Sequence, residues 1–148
     1  MKGVIQRVTE ATVIVKGEPV AAIQTGLLVF LGVEKTDGEE SCRKAARKIA
    51  GLRVFEDDHG KMNRSIKDIG GEILIVSQFT LAGSIEKGRR PSFDNAMEPE
   101  TARPLFEKVV SLLRDFDIPV QTGVFQAYME VSLVNDGPAT FILEKCWT

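Results

Sequence analysis

The chain has 148 residues, 43% hydrophobic and 27% charged, with 19 basic and 21 acidic side chains for a net charge of −2. This size suits one domain over residues 1–148 with a filled core, and the near-neutral balance excludes a protein that coats nucleic acid non-specifically. Residues 27–31, the longest apolar stretch, are too few to span a membrane; residues 1–7 lack the apolar centre of a secretion signal; and Cys42 and Cys146 form neither a disulfide framework nor a metal cluster, so the expectation is a cytoplasmic protein with reduced thiols.

Residues 2–8 alternate and predict a strand. Residues 11–16 and 19–23 flank Gly17-Glu18 and predict a hairpin. Residues 27–33, Leu-Leu-Val-Phe-Leu-Gly-Val, are apolar on both faces, as in a central strand covered on two sides. Asp37 then opens a helix as its cap, with Glu40 three residues on as in a capping box. Cys42, Ala45, Ala46, Ile49 and Ala50 recur at helical spacing, and Gly51 is the expected stop. Residues 52–55 and 72–79 predict two more strands, joined by the turn-rich stretch 56–71.

From residue 82 to 99 the pattern dissolves into a loop rich in Gly, Pro and charge, and loops of that length are commonly functional. A second helix carries Ala102, Leu105, Phe106, Val109, Leu112, Leu113 and Phe116 on one face. Pro99 suits its first turn, whereas Pro104 leaves its start uncertain by one turn. Residues 119–124, 128–134 and 140–144 complete the strands. The order βββ-α-ββ-α-βββ predicts an α+β fold: a single domain with a curved, mainly antiparallel, barrel-like sheet and two helices.

Few residues invite catalysis by side chains. His59, the lone histidine, lies in Asp57-Asp58-His59-Gly60, a surface-turn context; it could serve as a base only if that turn folded over a site. Cys42 belongs to a helix's apolar stripe. No phosphate-binding glycine motif, zinc pair or glycosidase-type carboxylate pair stands out, so neither metal nor cofactor is expected. Ser77, Gln78 and Thr80 leave a buried strand where the long loop begins. Main-chain N–H groups there could face an oxyanion; alternatively, Ser77 and Thr80 tie down the loop. Lys87-Gly88-Arg89-Arg90 places three cations in four residues, either a solvated loop or a local patch for phosphate. Gly137-Pro138 sits between two strands; proline cannot join a ladder, so the pair marks a turn, a bulge or a cis bond.

Ser77-Gln78-Phe79-Thr80-Leu81 together with Asn135-Asp136-Gly137-Pro138-Ala139-Thr140 resembles the D-aminoacyl-tRNA deacylase family. Three further runs fit it: Met1-Lys2-Gly3-Val4-Ile5-Gln6-Arg7-Val8, Lys87-Gly88-Arg89-Arg90-Pro91-Ser92-Phe93, and Gly123-Val124-Phe125 followed by Met129. The resemblance extends over essentially the whole chain, and the motifs are specific in their order and spacing.

The resemblance implies a homodimer that hydrolyses the ester joining a D-amino acid, and also glycine, to the 3′ end of tRNA. It implies a cis Gly137-Pro138 bond reaching into the partner's pocket, where its carbonyls and Asn135 fix the substrate's α-ammonium group and exclude an L side chain. Phe79 and Thr80 N–H groups, within the run Ser77 to Thr80, would hold the oxyanion, and the ribose 2′-hydroxyl would assist the attack. Phe125 and Met129 would line the pocket, Ala102 would back the terminal adenine, and Lys87, Arg89 and Arg90 would meet tRNA. Gln126 departs from the family, which commonly has a small residue there; Tyr128, residues 83–86 and Ala139, where valine is usual, are further departures. Two other readings are a dimer that holds tRNA ends without cleaving them, and an esterase or amidase with Thr80 as nucleophile.

Overall fold

A computed structural model describes residues 1–144; the expectation for Cys146 lies outside the described residues. Among these, the order is β1 (Lys2–Val15), β2 (Glu18–Ile23), β3 (Gly26–Gly32), α1 (Glu39–Gly51), β4 (Phe55–Glu56), β5 (Met62–Arg64), β6 (Glu72–Ser77), a 3-10 helix (Phe79–Ala82), α2 (Pro99–Asp115), β7 (Val120–Thr122) and β8 (Glu130–Glu144). β4 and β5 form a small separate pair.

The main sheet is built on β1. Its first half pairs antiparallel with β3 and its second half with β2, while β8 pairs antiparallel along its other edge. β6 lies parallel to β3, and β7 parallel to β6. Parallel neighbours need crossovers, which α1 and α2 lie on, packed against each other. The main-chain N–H of Ala22 on β2 donates to Oε1 of Gln121 on β7 at 3.0 Å, so the two ends of the path meet and the mixed sheet is a nearly closed barrel.

Side-chain alternation explains why β3 is apolar throughout. Leu27, Val29 and Leu31 join Ile73 and Ile75 of β6 in the core under the helices, with Ile49, Phe106, Val109 and Leu113. Leu28 and Leu74 turn the other way and meet Val8, Val13 and Ile23 inside the barrel. The α+β class, the curved sheet and the two helices agree with the sequence expectation.

Several boundaries differ. The strands expected at 2–8 and 11–16 are one strand, β1, because register shifts near Val8 and Glu10 absorb the polar Thr9-Glu10 pair. Those expected at 128–134 and 140–144 are likewise one strand, β8. The strand expected to run to residue 79 ends at Ser77, where the chain tightens into the 3-10 helix. Asp37 does not cap α1. Its carboxylate accepts from the Glu34 N–H at 2.7 Å and from the Met1 ammonium at 2.6 Å. Gly38 takes the cap position, and its N–H donates to the Ser41 hydroxyl at 3.2 Å, while Glu40 pairs with Arg43. No helix among the described residues is long and apolar enough to cross a membrane.

Candidate active site

A cavity of about 550 Å³ opens where β3 and β6 end. It has the size and apolar character of a small-ligand site. Ser77, Gln78, Phe79 and Thr80 form one edge, and Ala102, Phe125 and Met129 stand on its walls. Residues expected from three separate stretches of sequence thus share one hollow.

The edge is fixed by close backbone packing. Gln78 N–H donates to the Leu31 carbonyl at 2.9 Å, continuing the parallel register of β3 and β6 by one residue. A Cβ on Gly32 would lie 2.8 Å from the Gln78 carbonyl oxygen, so only glycine lets the two chains approach this closely. Past Gln78 the strand cannot continue. Leu81 N–H donates back to the Gln78 carbonyl and Gly83 N–H to that of Thr80. The N–H groups of Phe79 and Thr80 open this short helix and, among the described residues, donate to no main-chain carbonyl. Two adjacent free N–H groups at a cavity edge can hold a developing oxyanion.

The side chains offer little else for chemistry. The Thr80 hydroxyl accepts from the Gln78 amide at 3.0 Å. Glu98, exposed at the start of α2, is the one ionisable residue on the cavity wall among those described. Cys42 is fully buried in α1, and desolvation there pushes its thiol up to about 11, unsuited to nucleophilic attack at neutral pH. His59 is exposed in its turn, as expected; its main-chain N–H bonds Asp57 at 2.8 Å. Together with the Lys61 N–H, that bond holds the Asp57 carboxyl below its usual value. Among the described residues no group of three His, Cys, Asp or Glu side chains comes together as a metal site.

The sequence gives no sign that Phe93, Met97, Phe106 and Glu98 belong to the site, yet they also line the cavity. The Phe93 ring lies 5.2 Å from that of Phe79. Phe125 is held from two sides, by Phe106 at 5.8 Å between ring centroids and by the Arg103 guanidinium 4.7 Å from its ring centre. Each of these reads as core or loop in isolation. Only the tertiary arrangement brings them to one wall.

Lys87, Arg89 and Arg90 are exposed on a loop whose base is tied by reciprocal Ser84 and Ser92 main-chain bonds of 2.7 and 2.8 Å. They do not line the cavity. Nor do Asn135, Gly137 and Pro138. Within one chain, therefore, the two principal motifs stand apart.

The second motif is nonetheless firmly built. On β8, Asn135 pairs with Val8 and Thr140 with Gln6, so residues 136–139 stand opposite Arg7 alone and bulge outward. The Gly137–Pro138 peptide bond is cis. Asn135 accepts from the Ala139 N–H through Oδ1 at 2.8 Å and donates to the Thr140 hydroxyl through Nδ2 at 2.8 Å. Arg7, only 6% exposed, donates through Nε to the Asp136 carbonyl at 3.0 Å and through Nη1 to the Val54 carbonyl at 2.7 Å. The sequence reading passed over this role for Arg7. The signal was a cation in phase with Gly3 and Ile5 on the buried face of β1, a place charges occupy only when paired.

The model of the D-Tyr-tRNA(Tyr) deacylase family matches residues 4–144. The chain is 58% identical to a D-aminoacyl-tRNA deacylase of Geobacter metallireducens over 98% of its own length and 96% of the relative's. It is 55% identical to one of Thermotoga petrophila over 98% and 97%. A solved structure named c-Myc DNA Unwinding Element Binding Protein superposes with a TM-score of 0.92 at 43% identity, covering 97% of this chain and 98% of that one. With its family motifs on one cavity edge and one braced bulge, and with this likeness over nearly its whole length, the chain belongs to the D-Tyr-tRNA(Tyr) deacylase family.

Proposed function

We propose that this chain hydrolyses the ester of D-aminoacyl-tRNA, and of glycyl-tRNA, releasing the free amino acid and reusable tRNA in the cytoplasm. The observation that carries this reading is the pair of N–H groups on Phe79 and Thr80, without main-chain partners among the described residues, at the edge of a cavity whose walls, among the same residues, hold no His, Cys or Lys. Such an edge suits acyl transfer in which the protein stabilises charge and does not supply a nucleophile. A water oxygen attacks the ester carbonyl carbon, with the ribose 2′-hydroxyl assisting the attack, and the developing oxyanion is received by the two N–H groups. The bond to the ribose 3′-oxygen then breaks, and that oxygen takes up the proton lost by the water.

The working unit is a homodimer with two equal sites, as two-fold pairing requires. Asn135, Gly137 and Pro138 of one chain reach the cavity of the other and receive the α-ammonium group on main-chain carbonyls. Handedness is read at the α-carbon, so many D side chains are accepted. Phe125 and Met129 line the pocket, Ala102 backs the terminal adenine, and Lys87, Arg89 and Arg90 neutralise tRNA phosphates. What supports the pairing is the exposure of Asp136, Gly137 and Pro138 on a bulge braced from behind by Arg7.

The test is incubation with D- and L-aminoacyl-tRNA and with D-aminoacyl-tRNA ending in a 2′-deoxyribose. Release of the D-amino acid, sparing of the L ester, and loss of rate on the deoxy substrate are expected. Tight tRNA binding without release identifies a non-catalytic binder. An undiminished rate on the deoxy substrate removes the 2′-hydroxyl from the mechanism. Light scattering that finds an active monomer removes the partner's contribution.

A further inference from the structure

Among the described residues, three that are not glycine have positive φ: Lys16 at 50°, Asp117 at 62° and Gln126 at 65°. Lys16 belongs to the turn between β1 and β2. Asp117 directly follows the C-cap of α2, a place where the left-handed conformation is routine. Gln126 lies in the connection between β7 and β8, and of the three it alone lines the cavity. Ala127 N–H donates to the Val124 carbonyl at 3.1 Å, which makes Gln126 the third residue of a four-residue turn. With positive φ there and not at Phe125, the turn follows the type II pattern, whose third position favours glycine or asparagine. A glutamine held against that preference, at a cavity rim, points to use of its side chain.

We infer that Gln126 contacts substrate: its carboxamide hydrogen-bonds the base edge of the 3′-terminal nucleoside. The inference rests on the hydrolase reading above. The reacting carbonyl must sit at Phe79 and Thr80, so the amino acid occupies the apolar interior and the nucleoside lies towards the rim. Gln126 is exposed, whereas its neighbour Phe125 is half-buried and pinned by Phe106 and Arg103. The pinned ring fixes the turn and leaves Gln126 exposed at the rim. A carboxamide offers one donor and one acceptor side by side, which match the N6 and N7 edge of adenine.

The test compares wild type with Gln126→Gly and Gln126→Glu. KM and kcat are measured on D-alanyl- and D-tyrosyl-tRNA, and binding is measured with a non-hydrolysable amide analogue, 3′-(D-alanyl)amino-3′-deoxyadenosine. Both variants should raise KM about three- to tenfold, the loss of one or two hydrogen bonds, by the same factor for the two amino acids, with kcat held within about twofold. Both should weaken analogue binding by a like factor. Gln126→Gly should also melt about 2–4 °C higher, because glycine relieves the turn. An unchanged KM and unchanged analogue affinity overturn the inference, as does a KM rise confined to one amino acid. A wild-type protein that binds the analogue through Gln126 yet hydrolyses neither ester overturns the hydrolase reading alone.

Discussion

The two segments that the family motifs single out, residues 77–81 and residues 135–140, are built in opposite ways. The first follows a buried parallel strand and turns inward, leaving main-chain donors open at the edge of a cavity. The second lies in β8 and turns outward, with its own groups satisfied from behind by Arg7 and Asn135. One segment is a receptor with vacant donors. The other is a presented surface that does not line that cavity. The contrast teaches that two motifs of one family can be built apart in a single chain, and on the dimer proposed above a second copy would join them.

The sharpest way to break this contrast is to remove a donor from the receptor. Thr80→Pro deletes one N–H in the first turn of a helix, where proline is tolerated, and should lower kcat about 10²–10³-fold. A cooperative melt near that of wild type shows the fold intact; a retained rate would show that the N–H groups hold no oxyanion.

Next comes the presented half. Gly137 has φ of +134°, and a Cβ there would lie 2.8 Å from Nη2 of Arg7. Gly137→Ala should shift the bulge and lower hydrolysis about 10²-fold, as a misplacement of about 1 Å can do. Unchanged rate and unchanged D-over-L preference would make residues 135–140 a structural bulge and nothing more.

Mixing the two inactive chains sharpens the comparison further. In an equimolar, freely exchanging mixture about half the dimers are mixed, and each mixed dimer has one intact site. Activity should therefore return to about a quarter of wild type. Activity no higher than that of either variant alone, with exchange confirmed by mass, would show that both halves act within one chain.

The smallest effect is expected at the Thr80 hydroxyl. Thr80→Ala removes the bond from Gln78 but leaves the main-chain donors, and it should cost about threefold or less in rate. Loss of a nucleophile costs about 10³ or more, and a fall of that size would transfer the mechanism to the threonine.

Much of the fold was legible because burial follows period. The two-faced apolar run of β3 announced a strand between two cores, and both helices carried their stripes in phase. Strand continuity was harder. Thr9-Glu10 and Gly137-Pro138 look like breaks, because a local reading cannot see that the opposite strand absorbs an extra residue in a bulge. Asp37 has the chemistry of a helix cap, yet the Met1 ammonium, distant in sequence, claims its carboxylate. In the site, residue chemistry marked Ser77, Gln78 and Thr80, but it left their role open between catalysis and anchoring. The family resemblance was needed to join them to Phe125 and Met129. Arg7 was overlooked although a lone charge on a buried strand face requires partners, and those partners lie 47 and 129 positions away.

The bulge opposite Arg7 also has a mechanical consequence. Both arms of β8 are zipped to β1, residues 130–135 on one side and 140–144 on the other. The projection therefore inherits the stiffness of the sheet and does not move as a loop. A stiff prong has little conformational freedom to surrender on docking, so partner and substrate would meet it at small entropic cost. The same anchoring makes its length a ruler. A residue added or deleted between 136 and 139 could not be taken up by sliding, since a slip of one place would turn every side chain of an arm to the wrong face.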